Sequence, residues 1–575
     1  MRNIKIAMIF AMLVISGAAM AQRNNDPAPE TPVEEPKVTV GGSVFGGGNL
    51  APVTGSTTVT VNQGGATVGN DVYGGGALAD VGTFGTTSHT VNILDGTITR
   101  AVYGGGLGDD DHEAKVNGEV TVYIGTSLEV GNATLIGANV FGGNNANGSP
   151  QDNVTVHIWK TAHTTDNVVG GNAYAIKDVF GGGNEADYVP AAADKKCLVH
   201  VHGCENTISR TFGGANAADV GTANDQGAVT LRTDVQTIIE GGRIDKVFGG
   251  GNGELGETFA ADINGNLALE IQGGYVGQFY GASNENGTIR GDLSLDVSSD
   301  GSCGDLDIDE LFSGSNAAAI TGDLVTNIAC TSNSGNDLTI NNLYGGCNQA
   351  NIDGSVVLNV HGGNYINVYG GSCGTTSTPA NIGGDVTLNL YGGTIENAYG
   401  GCNVNGNVSG LITVNVIDEE GDCPLYVTNV YGGSNLANYT PTASGSDRIT
   451  PVVNVVHAKN GISGNVYGGS RGLEGASDEN VTVVQAHPLV NIGYNNDMDI
   501  YLPSDYPNFI STILQNKPRA IVAGDVYGGG DAATVVGNTK IMLRNRAKVF
   551  GNVYGGGNMG KVTGDTKVIV NGDNE

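Results

Sequence analysis

An apolar–aromatic–Gly–Gly unit recurs along the whole chain, and no other feature constrains its fold as strongly. The aromatic stands at Phe45, Tyr73, Tyr103, Phe141, Phe180, Phe212, Phe248, Tyr280, Phe312, Tyr344, Tyr369, Tyr399, Tyr431, Tyr467, Tyr527 and Tyr554. That makes 16 copies, counting the variants Tyr280-Gly281-Ala282 and Phe312-Ser313-Gly314. Most steps are 25 to 39 residues, and the three from Phe248 through Tyr280 and Phe312 to Tyr344 are each 32. Self-similarity at such a period specifies a solenoid, a propeller or an array, not a string of independent domains.

Between copies the pattern is strand and turn. Val386, Leu388 and Leu390 alternate with Thr387, Asn389 and Tyr391, and Leu267, Leu269 and Ile271 repeat the scheme. Alternation at period two sends one row of side chains into a core and the other toward solvent. No stretch of the repeats sustains a helical period. Of 575 residues 95 are Gly, which an ordinary helical domain would not carry, given the backbone entropy each glycine loses on folding. A Gly-X-Y period is missing, so collagen is excluded. With 15% charged and 39% hydrophobic residues the chain is too apolar for plain disorder. A propeller blade needs four strands in ~40–45 residues, longer than most periods here. The expected fold is therefore all-β: a right-handed parallel β-helix (β-solenoid) of about sixteen Gly-rich coils, three short strands per coil. At ~4.8 Å per coil it would rise roughly 70 Å.

Asn follows the aromatic by four residues in 11 of the 16 copies, from Asn49 to Asn558. Equivalent amides in a parallel stack can hydrogen-bond along the rod as a ladder, and Asn tolerates a left-handed corner. The aromatic row is expected to be a buried stack, although strand parity leaves this open because the preceding residue is also apolar.

The first residues read as a signal peptide, 1–21: basic Arg2 and Lys5, an apolar run from Ile6 to Ile15, and Ala19-Met20-Ala21 before Gln22. Residues 22–37, with Pro27, Pro29, Pro32 and Pro36 among acids, read as an extended linker, and the repeat domain as 38–575. No cysteine stands at the cleavage point for a lipid anchor, no later segment has the ~20 apolar residues of a transmembrane segment, and no sorting domain is recognisable near Asp573. Together with Val526 to Gly530, Val553 to Gly557 and the Asn/Thr-rich faces, these features resemble secreted bacterial right-handed β-helix repeat proteins, many of them adhesin-like and others polysaccharide lyases and hydrolases. The resemblance lies in the style of the repeat. It implies export to the surface or surroundings of a Gram-negative bacterium. No enzyme motif of such families maps onto the chain.

Eight cysteines in an exported chain suggest disulfides. Cys347 and Cys402, both three residues after the aromatic, could equally stack as inward thiols, with Cys373 one residue further on. The most metal-like string is Cys197-Leu-Val-His200-Val-His202-Gly-Cys204, where His200 and His202 share a strand face. Seven strand residues hold the two cysteines ~23 Å apart, so they cannot meet. Val199 and Val201 then face the core, both histidines are expected in solvent, and no metal or cofactor is expected. Asp109, Asp110, Asp111 and Glu113 lack the spacing of a calcium loop and read as a solvated turn.

A formal charge of −32 excludes nucleic acid as a partner. Asp307, Asp309 and Glu310, and Asp497 with Asp499, are the acids a hydrolase would need, but scattered acids are ordinary in a chain with 58 of them. The 60-residue step from Tyr467 to Tyr527 interrupts the period, and residues 485–520 read as a projecting insertion. Its Tyr494, Tyr501, Tyr506 and Phe509 are the candidate ligand-binding residues, since insertions in solenoids map to loops and exposed rings suit sugars and proteins. The expected function is that of a non-catalytic surface or matrix protein binding extracellular glycans or surface proteins. The alternative is a secreted polysaccharide lyase or glycoside hydrolase on the same scaffold.

Overall fold

The computed structural model describes residues 37–125, 135–136, 139–161, 174–253, 260–299, 302–331, 337–419, 422–442, 449–477, 481–493 and 519–570. Two compact units divide between Lys37 and Val38, and the elements below belong to Val38–Glu575. The described residues form strands and turns with no helix, and they wind into a parallel β-solenoid. Each coil contributes three segments. On the first face Leu324–Ile328, Val356–Val360, Val386–Leu390 and Ile412–Ile417 stack in parallel, with Val386 between Val356 and Ile412. On the second face strands end on the repeated aromatic, as in Gly274–Tyr280, Leu306–Phe312 and Leu338–Tyr344. The third face is a single apolar position per coil, running through Ile263, Ile289, Ile320, Ile352, Ile382 and Val408. Among the described residues, the antiparallel pair is a small hairpin, Thr222–Ala223 with Val229–Leu231. Propeller blades would be antiparallel throughout.

Why the chain stacks is legible at the aromatic corner. All 15 steps from Phe45 to Tyr554 are cofacial, with centroids 4.5–5.1 Å apart and planes within 11°. Strand spacing sets this distance. The residue before the ring, such as Val247, Leu311 or Leu343, lies in the main core, whereas the rings from Tyr73 to Tyr527 form a separate buried row. The parity question is thereby resolved: the ring points away from the main core and is buried by its own neighbours. The next residue is Gly because the coils nearly touch there. A Cβ on Gly213 would collide with the carbonyl oxygen of Gly249, and one on Gly249 with that of Gly281. Close approach, not an unusual backbone angle, imposes glycine at these places.

The amide ladder is present. Asn145, Asn184, Asn216, Asn252, Asn284, Asn316 and Asn348 are joined by Nδ2–H donations to the preceding Oδ1 at 2.8–3.0 Å. Cys373 interrupts it, and Asn435 to Asn403 resumes it at 2.8 Å. A second ladder was hidden in the alternation. Asn359, Asn389, Asn415, Asn454 and Asn491, on the side of the strand expected in solvent, are buried and linked at 2.8–2.9 Å. Each amide satisfies its neighbour, so burial leaves no orphaned group.

A third polar row runs through acids. Asp187 Oδ1 accepts from the Asp219 N–H, and Asp219 Oδ1 from the Asp262 N–H, both at 2.8 Å. Burial first, then the charges of Asp262 and Asp187, push the Asp219 carboxyl up to about 6 against the lowering effect of that N–H bond. A carboxyl raised in the folded state keeps a proton the unfolded chain releases, so it costs stability as pH rises through about 4 to about 6. Asp219→Asn keeps the acceptor without the charge. It should raise Tm near pH ~7.5, with the gain vanishing near pH ~4, in paired thermal melts.

Disulfides join Cys204 to Cys303 and Cys330 to Cys423, with Cα–Cα distances of 5.2 and 5.7 Å. Cys197, Cys347 and Cys402 are buried free thiols, pushed up to about 12 by burial. They are inert inward side chains.

The interruption of the period is narrower than 485–520. His487–Ile492 is a regular first-face strand, with Val490 stacked between Val453 and Ile541, and Ala520–Val522 is a second-face strand stacked on Ala547–Val549. Pro488 is the second residue of that strand and falls where the register shifts beside Ile449, near a strand start, where proline is tolerated. Tyr494, Tyr501, Tyr506 and Phe509 lie outside the described residues.

Candidate functional site

On the first face three successive strands, Val154–Ile158, Lys196–Val201 and Asp234–Ile239, bring their outward side chains into columns. His157 lies beside His200, which lies beside Ile238. Just past the strand ends Trp159, His202 and Glu240 continue the stack, with the His202 N–H donating to the Ile158 carbonyl and the Glu240 N–H to that of Val201. Val156, Ile158, Val199 and Val201 are fully buried on the inner side, so the core fixes these strands from beneath.

The columns meet. His157 Nδ1 and His202 Nε2 are 2.9 Å apart. Glu240 takes the other side of the cluster, with Oε1 2.8 Å from His200 Nε2 and Oε2 3.1 Å from His202 Nδ1. Trp159 lies flat on His202 at 3.7 Å between centroids, and Tyr123 covers His157 at 5.0 Å. One nitrogen from each of His157, His200 and His202 falls within 4.8 Å of the others. Burial, then the charges of His202 and His200, push His157 down to about 4. Burial and His200 likewise lower His202. Both rings are therefore neutral at neutral pH, the form in which imidazole accepts a proton or ligates a cation.

No protein-family model, no curated protein and no solved structure matches the chain.

Placing both histidines in solvent is thus corrected. His202 is buried, and His200 is half-buried against Glu240. Val199 and Val201 do face the core, as alternation requires. What the string from Cys197 to Cys204 could not display is the rest of the cluster, which lies 43 residues before His200 (His157) and 40 after (Glu240) and joins it only through the coil register.

The remaining candidates stay apart. Asp307 and Asp309 share the exposed side of Leu306–Phe312, where the Tyr275 hydroxyl donates to Asp309 Oδ2 at 2.8 Å. Burial, then Asp305, Asp309 and Asp337, raise Asp307. Glu310, the next residue of the strand, is half-buried and accepts from Gln278 at 3.0 Å, a different partner from that of Asp309. Asp497 and Asp499 lie outside the described residues. In the acidic turn Asp109 Oδ1 accepts from the backbone N–H of Asp111 and His112, and Lys115 pairs with Glu113.

A shallow groove of about 320 Å³ opens on the second face between Thr394, Glu396, Tyr426, Thr428, Asn460 and Ser463. Tyr426 presents its ring there, 49% exposed. Sequence reasoning passed over it because Leu425 to Tyr431 reads as an ordinary strand, and only the coil register sets Tyr426 beside Thr394.

Proposed function

We propose that this chain is an exported, non-catalytic β-solenoid that binds glycans at a cell surface or in an extracellular matrix. The groove beside Tyr426 carries this reading. An exposed aromatic face flanked by hydroxyl, amide and carboxylate groups is the composition that packs against a sugar ring and pairs with its hydroxyls. Its setting supports the reading too. Ring, glycine and amide rows serve coil-to-coil stacking, and outward positions such as Thr394, Glu396 and Thr428 are left to meet a partner at one coil's spacing, which suits a polymer with repeating units. The charge of −32 favours neutral or basic glycans over polyanions. Tyr494, Tyr501, Tyr506 and Phe509 are proposed as a second contact region on the same sequence grounds as before.

The test is a glycan array followed by titration of any ligand found. Tyr426→Ala should weaken binding about tenfold or more with unchanged melting. Deletion of residues 494–518, which leaves the flanking coil strands intact, reads the second region separately. Retained affinity in both variants would remove glycan binding at these places. Asp307 motivates the enzyme reading through its raised carboxyl beside Asp309. Polysaccharide cleavage that disappears in Asp307→Asn would put a hydrolase or lyase in place of the binding protein.

A further inference from the structure

We propose that His157, His200 and His202 bind one divalent cation of the Zn²⁺ class, with Glu240 as the carboxylate that orients them. Glycan binding at Tyr426 is not needed for this. Three observations carry it.

The first is the donor set. Three imidazoles from two neighbouring coils offer nitrogens within 4.8 Å of one another, and borderline divalent ions take such a set at ~2.0–2.1 Å per bond. The 2.9 Å contact between His157 Nδ1 and His202 Nε2 requires one ring to give a proton toward the other. A cation placed between them takes a lone pair from each ring, and the His157 proton moves through solvent from Nδ1 to Nε2, so that the ring stays a neutral ligand.

The second is the tautomer. Glu240 Oε2 lies 3.1 Å from His202 Nδ1. A carboxylate there accepts the Nδ1–H and turns the Nε2 lone pair toward His157. Metal-bound histidines are held in this way, with the far nitrogen donating to an acid. The same carboxylate bonds His200 Nε2 at 2.8 Å, so a single acid sets two of the three rings and supplies the negative charge a dication needs.

The third is rigidity. His157 and His200 stand on stacked strands whose inner side chains are fully buried, and His202 directly follows the end of one. Trp159 and Tyr123 wall the rings at 3.7 and 5.0 Å. Sites held on strands with packed walls keep ligand geometry better than sites on loops. Three protein nitrogens leave the fourth tetrahedral position to water or to an oxygen of a bound molecule. The bound ion would tie the coil of His157 to that of His200 and His202, two residues before the Cys204–Cys303 bridge.

The full chain, purified without a polyhistidine tag and stripped with EDTA, should take up one equivalent of Zn²⁺ in calorimetric titration. Co²⁺ should give the visible absorption of a tetrahedral nitrogen site, and Zn²⁺ should raise Tm. His157→Ala with His202→Ala should abolish the equivalent and the Tm shift. His361→Ala, a histidine of a distant coil, should leave both unchanged. Glu240→Gln should weaken affinity about 10- to 100-fold while one equivalent still binds. His157→Gln, at a half-buried outward position, serves the same purpose should the double variant not fold. Absence of a stoichiometric equivalent in the parent chain, or equal uptake by the His157 variants, overturns the site.

Discussion

Replacing Gly400 by alanine should cost about 3 kcal/mol or more, the upper end of what overpacking does in a close-packed interior, and should lower Tm accordingly. The added methyl collides with the carbonyl oxygen of Gly432 and meets Ile412 Cγ2 at 2.6 Å and Val414 Cγ2 at 2.7 Å. The nearest obstacle is the backbone of the next coil, so no rotamer change relieves it. Two coils have to separate, and with them the ring pair Tyr399–Tyr431, now 4.8 Å apart. Gly556, the second residue after Tyr554, supplies the control, because a Cβ there meets nothing within 4 Å. Gly556→Ala should melt within about 0.5 kcal/mol of the parent. Equal melting of Gly400→Ala and the parent would show that the coils do not approach as described.

Leu388→Asp is the second large effect. Leu388 is fully buried and stacked between Leu358 and Val414. A carboxylate there has no partner among the aliphatic side chains and has to take up a proton or open the coil. Either way the loss is several kcal/mol. In a solenoid each coil holds chiefly to its neighbours, so the damage should be local. Amide exchange should rise from about Val356 to Val416 before it rises at Val154–Ile158. Uniform protection along the chain, with an unchanged melt, would remove Leu388 from the inner face.

How much of this the sequence discloses follows from which contacts are local in it. The ring row and the Asn145–Asn348 ladder were readable because each coil repeats them at the same offset, so parallel stacking alone brings equivalents together. The second ladder was less readable. Asn389 occupies the strand side that alternation assigns to solvent, and period-two logic carries no information about what lies outside a sheet. The histidine cluster was missed for a related reason. Its members come from different coils whose lengths differ, 39 residues from Phe141 to Phe180 and 36 from Phe212 to Phe248, so no fixed offset aligns His157, His202 and Glu240. At His487–Ile492 the excess length of the 60-residue step hid a regular strand, because the length of a step does not say where within it the extra residues lie. Whatever the topology alone decides was out of reach, and whatever the repeat decides was in plain view.

The ring row also acts as a ruler. Twenty-five residues separate Tyr344 from Tyr369 and sixty separate Tyr467 from Tyr527, yet the rings climb 4.7 Å in one case and 4.9 Å in the other. Altitude along the axis is therefore counted in rings, and the number of residues spent between two rings is free to vary. A lineage could lengthen, shorten or exchange the segment carried at one storey without displacing the storeys above it. Each level is a shelf of fixed height whose contents can be changed independently, while the spacing between whatever stands on neighbouring shelves is inherited unchanged.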